Sequence, residues 1–223
     1  MSNITVEYLS HDGSDNTIAN TARVSMELSG GWENLPEGYT EEQRNRLIKY
    51  LAKHKHTTPF RHNSISIRCK VPVFIARQLG KHQAGLSWNE VSRRYVDSDV
   101  EFFEPDGWRK RPEKSIKQGS SGISESSEFY KDLYKSHCGE SLKLYNTMLD
   151  DGVAPEMARM VLPQSMMVEY VWTGNLMAFA HVFNLRADGH AQVEAQEFAH
   201  KLNDVIEPLF PVAWKSLTTQ AGK

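Results

Sequence analysis

The chain has 223 residues, 39% hydrophobic and 24% charged, which is enough for one compact domain with a real core and short of two. A formal net charge of -2 argues against a protein that coats nucleic acid, and small anionic ligands in a locally basic pocket fit better than polymers. No basic region followed by an apolar run opens the chain and no apolar stretch is long enough to span a bilayer, so a soluble, cytoplasmic protein without a membrane partner is expected.

In chain order, residues 4–9 alternate like a strand. Thr40-Glu41-Glu42-Gln43 forms a capping box for an amphipathic helix through Ile48, Leu51 and Ala52, which delivers His54 and His56 at its end. Residues 64–71 alternate with period two, and Pro72 is expected in the first turn of a helix over 73–79. From about 105 to 127 the composition turns polar and rich in glycine and serine, which predicts a long mobile surface loop, either a lid or an insertion. Helices follow at about 125–150 and 155–162, then a strand around 168–172 broken at Gly174. Asn175 can cap a helix running toward Arg186, and residues 190–209 carry a last amphipathic helix. The pattern is α+β: a single domain over 1–223 with a small, mainly antiparallel sheet packed by several helices. No Gly-x-Gly-x-x-Gly follows a strand, so the fold is non-Rossmann and a flavin would need another kind of pocket. Cys69 and Cys138 are far apart and outside any Cys-x-x-Cys pattern, which reads as two buried thiols.

Residues 77–95 gather cations, amides, a carboxylate and hydroxyls without a core-facing period. They include Lys81-His82-Gln83 and Asn89-Glu90-Val91-Ser92-Arg93-Arg94-Tyr95. Three more blocks stand in order around them: Ala22-Arg23-Val24-Ser25, then His54-Lys55-His56-Thr57-Thr58-Pro59-Phe60-Arg61-His62, then Asn184-Leu185-Arg186-Ala187-Asp188-Gly189-His190-Ala191-Gln192. Together they resemble the flavin-dependent thymidylate synthases, whose signature is an Arg-His-Arg triplet followed closely by Asn-Glu-x-Ser-x-Arg-Tyr. One short motif would be weak support, whereas four ordered blocks are hard to obtain by chance.

The resemblance implies reductive methylation of dUMP to dTMP, with methylenetetrahydrofolate as carbon donor and FAD, reduced by NADPH, as hydride source. Cys69 falls within a predicted strand and Cys138 on a predicted helix beside the loop, and neither is a candidate nucleophile, so ring activation would be electrostatic. By the same resemblance Arg186 is the catalytic residue, contacting the pyrimidine and favouring its N3-ionised form. A guanidinium suits that task because its planar fork stays charged. Ser92, Arg94 and Arg159 are expected on the dUMP phosphate, which rewards bidentate cationic contacts, with Arg93 beside them in the dUMP set. Ser92 has no positioned base and is read as a binding residue rather than a nucleophile. Gln78, Lys81 and Glu90 complete the dUMP set. Ser25, Thr58, Lys81, His82, Gln83, Glu90, Asn175 and His181 form the implied FAD environment, and His56 the folate contact. The family builds its sites between subunits of a homotetramer, so that assembly is implied as well. No nicotinamide motif is located.

Two features depart from the family pattern. Lys81-His82-Gln83 replaces Arg-His-Arg, losing one guanidinium fork and one charge, and the spacing from Gln83 to Ser92 is one residue longer. Arg93 is expected to restore a cation, and a glycine-containing bulge among residues 84–87 to absorb the extra residue. The altered triplet keeps open a diverged flavoprotein oxidase or reductase using NADPH. A single-stranded nucleic-acid binder built on Arg93-Arg94-Tyr95 and Trp108-Arg109-Lys110-Arg111-Pro112 is the remaining alternative, against which the balanced charge argues. No metal site is expected, since His54, His56 and His62 have splayed spacing and no carboxylate close by.

Overall fold

The computed structural model describes residues 3–26, 31–97, 99–112 and 119–218. It opens with β1 (Thr5–Asp12), largely exposed along its length, and α1 (Asp15–Arg23). The sequence reading missed α1. Its cap is a box of Ser14 with Thr17 rather than Glu or Gln, in which the Ser14 N–H donates to Thr17 Oγ1 at 2.8 Å. α2 (Glu41–Lys53) starts at the expected box, where the Thr40 N–H donates to Gln43 Oε1 at 2.8 Å and the Gln43 N–H to Thr40 Oγ1 at 3.3 Å.

β2 (Ser64–Pro72) follows the predicted alternation, with Ile65, Ile67, Cys69 and Val71 fully buried on one face. Pro72 ends this strand and stands at the cap of α3 (Val73–Leu79), one position ahead of the expected first turn. β3 (Leu86–Glu90), inside the signature, was not expected as a strand. Within 105–127 the described residues form a small ribbon, β4 (Arg109–Lys110) with β5 (Ser121–Ile123). Residues 113–118 of the expected loop lie outside the described residues. α4 (Ser127–Asp150) and the short α5 (Pro155–Ala158) lead to β6 (Met167–Gly174), α6 (Leu176–Arg186), α7 (Val193–Ile206) and α8 (Pro211–Thr218).

The main sheet has order β1-β2-β6-β3 and is antiparallel throughout. Register puts Ile67 opposite Trp172 and Cys69 opposite Tyr170. Trp172, 1% exposed, meets Phe179 of α6 and Phe198 of α7, with ring centroids 5.6 and 6.3 Å away. Truncating a side chain so buried costs about 3–5 kcal/mol. α8 is tied back to the start of the chain by Asp15, whose carboxylate accepts the Val212 and Ala213 N–H groups at 2.9 and 3.0 Å. A carboxylate at a helix N-terminus satisfies donors the helix itself leaves open.

Candidate active site

α3 and α6 end beside each other, and this places the side chain the sequence ranks first. Arg186, in the last turn of α6, donates from Nε and Nη2 to His82 Nε2 at 3.1 and 3.0 Å, and from Nη2 to the Gln78 carbonyl at 3.2 Å. His82 therefore presents an unprotonated Nε2 as acceptor. Burial pushes its pKa down to about 4, helped by the Arg186 charge and by His181, whose ring lies 5.7 Å away edge-on. Burial also lowers the Arg186 pKa. Among the described residues no carboxylate pairs with Arg186. Its charge is oriented by two neutral acceptors and left uncancelled.

β3 joins this group to a second one. Asn175, as expected, caps α6 by accepting the Ala178 N–H at 2.9 Å, and its own N–H donates to the Gly85 carbonyl at 3.2 Å. Gly85 has φ +75°, and a Cβ there would lie 2.6 Å from Asn175 Nδ2. The Leu86 N–H closes a turn onto the Gln83 carbonyl at 3.2 Å, so the glycine sits in a tight turn ahead of the strand rather than in a bulge within it. Gly174, opposite Leu86, allows equally close approach, since a Cβ there would meet the Gly85 carbonyl at 2.7 Å. A cavity of about 360 Å³ lies here, lined by Arg61, Ala84, Gly85, Asn175, Met177, Ala178 and His181. Lys81 and Gln83 are exposed beside it in sequence.

At the far end of β3, Trp88 stacks on Tyr170 with centroids 3.3 Å apart and donates from Nε1 to Glu90 Oε2 at 3.3 Å. Partial desolvation raises the Glu90 carboxyl pKa, while the Trp88 N–H and the Arg159 charge pull it down. Ser92 Oγ accepts from the Arg94 backbone N–H at 3.3 Å and from Arg94 Nε at 3.5 Å, and no base contacts it among the described residues. Arg93 donates to the Val96 and Asp99 carbonyls at 3.5 and 3.1 Å, contacts that close its own loop.

The third group surrounds the turn after α2. Ser25, His56 and Thr58 line one cavity of about 560 Å³ together with Thr21, Ala22, Val24, Trp32, Leu51, Pro59 and His62. Thr21 Oγ1 and Arg23 Nη1 are buried without hydrogen-bond partners. Asn63 fastens this turn to α6, its Oδ1 accepting the Leu176 N–H at 2.7 Å. His54 instead packs on Tyr50, with ring centroids 4.2 Å apart. Among the described residues no cluster of His, Cys, Asp and Glu could hold a metal ion, and no helix is long and apolar enough to cross a membrane.

The sequence reading thus named most side chains of three groups but not their separation. It passed over Arg61, on the first cavity, and Thr21 and Arg23 near the third. Arg61 and Arg23 stand within quoted blocks, so the motif held the signal without giving either residue a role.

An α+β fold with an uncancelled arginine among polar and basic side chains suits a small anionic ligand, and comparison with known proteins gives the class. The thymidylate synthase complementing protein family matches residues 7–212. A flavin-dependent thymidylate synthase of Thermosipho africanus is 37% identical over 188 residues, covering 82% of this chain and 81% of that one. One of Thermus thermophilus is 36% identical over 203 residues, 91% of this chain and 71% of that one. A UMP/dUMP methylase, PolB of Streptomyces cacaoi, solved with 5-Br dUMP, superposes with a TM-score of 0.86 at 28% identity, over 98% of this chain and 96% of that one. The chain belongs to the flavin-dependent thymidylate synthase family, as its motifs imply.

Proposed function

We propose that the protein converts dUMP to dTMP, taking carbon from methylenetetrahydrofolate and hydride from FAD that NADPH has reduced. The observation that carries the reading is Arg186, a partly buried guanidinium held by His82 and the Gln78 carbonyl without a counter-ion among the described residues. A preoriented cation of this kind stabilises charge developing on a pyrimidine ring and needs no reorganisation as it does so. The thiols support a route without a cysteine nucleophile. Both are buried, and desolvation pushes the Cys69 pKa far up. The dUMP analogue in the Streptomyces cacaoi neighbour supports the nucleotide.

The residues present fit a flavin. Thr21 Oγ1 and Arg23 Nη1 are buried donors without hydrogen-bond partners in the chain segment that lines the cavity of about 560 Å³, and a ligand rich in carbonyl and phosphate acceptors would satisfy them. Ser25, Thr58, Lys81, His82, Gln83, Glu90, Asn175 and His181 would hold it, with His56 on the folate ring. When bound, the flavin supplies the hydride. Gln78, Lys81, Glu90, Ser92, Arg93, Arg94 and Arg159 would hold dUMP, and Arg186 would polarise its ring. Within one protomer the Arg186 group and the Ser92 group are separated by β3, roughly 13 Å of extended backbone. One nucleotide reaches both most readily where two copies meet, which supports sites between the subunits of a homotetramer.

The test begins with the visible spectrum of the purified protein. Anaerobic mixing with NADPH, methylenetetrahydrofolate and dUMP then compares wild type with Arg186→Ala. dTMP from the wild type alone, with FAD retained in both, is the expected result. Reduced flavin without dTMP would instead favour a diverged reductase carrying the altered Lys81-His82-Gln83 triplet.

A further inference from the structure

The first turn of α7 carries a network that the assignments above leave unused. Gln192 caps α7, and its carbonyl accepts the N–H groups of Ala195 and Gln196 at 2.8 and 3.0 Å, which fixes its backbone. Its side-chain Oε1 accepts from Gln78 Nε2 at 2.7 Å, a contact between residues 114 apart in the chain. Two residues on, the buried Glu194 is held by Arg109 of the β4–β5 ribbon at 2.6 Å. On the other side of the same contact, the Gln78 backbone carbonyl accepts from Arg186. Gln192 also lines a separate cavity of about 240 Å³ with Phe74, Trp108 and Glu194, so it stands between the ribbon and the Arg186 group.

We infer that Gln192 is a positioning residue: it fixes the side-chain amide of Gln78 for the pyrimidine nucleotide, and the Arg109–Glu194 pair fixes the turn that bears it. The inference rests on the reading of Gln78 as a nucleotide contact and deepens it. An unanchored glutamine has several rotatable bonds and must be ordered when ligand arrives, whereas one already bonded at one end meets that entropy cost in advance. With one end of the Gln78 amide committed to Gln192, the other remains for ligand. The same residue's backbone holds Arg186, so the amide and the guanidinium keep a fixed relation.

A double-mutant cycle on the FAD-loaded full-length protein separates this from direct contact and from mere packing. The variants are Gln192→Ala, Gln78→Ala and both together, read by the dUMP dissociation constant, KM and kcat, flavin retention and melting temperature. Gln192→Ala is expected to weaken dUMP binding about tenfold, with flavin retention and melting temperature unchanged. Gln192→Glu, which keeps an acceptor oxygen at the same reach, restores most of the loss. In the Gln78→Ala background the Gln192 change adds nothing. Additive losses would mean that Gln192 acts apart from Gln78, and they overturn the proposal. A lowered melting temperature with flavin lost overturns it too, marking a structural role. If Gln78→Ala binds dUMP like wild type, the proposal falls with the Gln78 assignment, while dTMP formation by the wild type leaves the synthase reading standing.

Discussion

Arg109 and Arg186 both reach into partly buried surroundings, but their partners differ in kind. Arg109 meets the carboxylate of Glu194 at 2.6 Å, with side-chain exposures of 25% and 7%, and its Nε donates to Ser120 Oγ at 2.7 Å. Arg186 meets an imidazole nitrogen and a backbone carbonyl. The first charge is cancelled where it stands, so its work is to hold the ribbon against α7. The second is oriented and not cancelled, so its field remains for a ligand. Neither behaviour follows from residue type, and both follow from what the fold brings alongside.

The largest effect expected from this contrast is on stability at the cancelled arginine. Arg109→Ala leaves a buried carboxylate alone, and its Oε2 already has no hydrogen-bond partner. Urea denaturation should show a loss of about 3–5 kcal/mol, while the apolar pair Arg109→Met with Glu194→Leu should recover most of it. A loss below about 1 kcal/mol would place the pair with ordinary surface bridges and dissolve the contrast. Arg186→Ala should behave in the opposite way, lowering kcat about 10²–10³-fold with little change in the denaturation midpoint. Arg186→Lys keeps the charge but cannot donate to His82 from two nitrogens of a fork, so intermediate activity is expected. Should Arg186→Ala unfold the protein, its arginine too would be structural.

Smaller than either arginine effect is that of the turn that sets His82 against α6. Gly85→Ala adds a Cβ 2.6 Å from Asn175 Nδ2 and forces alanine to φ +75°. The backbone strain alone costs about 1–2 kcal/mol. Thermal melts should register it, and weaker flavin retention should accompany it if Asn175 holds FAD. An unchanged melt together with full flavin retention would remove this turn from the site.

What the sequence disclosed was mostly local. The β2 alternation, the Thr40 box and the Asn175 cap each depend on residues within a few positions, and all three are in place. α1 was not legible, because its apolar residues are few and Asp15 finds its partners 197 and 198 residues away in α8. β3 alternates Leu86, Trp88 and Glu90, but its strand state depends on pairing with β6, and its polar residues drew attention to chemistry instead. The motifs named Arg186 and His82 but could not show that one orients the other across 104 residues. Arg109–Glu194 and Gln78–Gln192 were hidden for the same reason: only the folded chain makes them neighbours.

The last expected effect tests how Arg186 is held. His82 serves as an acceptor only while Nε2 is unprotonated, and burial, the Arg186 charge and His181 lower its pKa from 6.5 to about 4. Because the folded value lies below the unfolded one, the unfolded chain binds the proton that the folded site excludes between those values. Stability should therefore decline as pH falls from about 6.5 toward 4, with no further loss from this group below that. In the folded protein the lone pair persists down to about pH 4, so the acid limb of kcat due to His82 should lie there. His82→Gln, whose amide oxygen can accept from Arg186, should retain much of the activity and abolish that limb. An acid limb near 6.5 that disappears in His82→Gln would mean that His82 titrates freely, and Arg186 would then need another anchor.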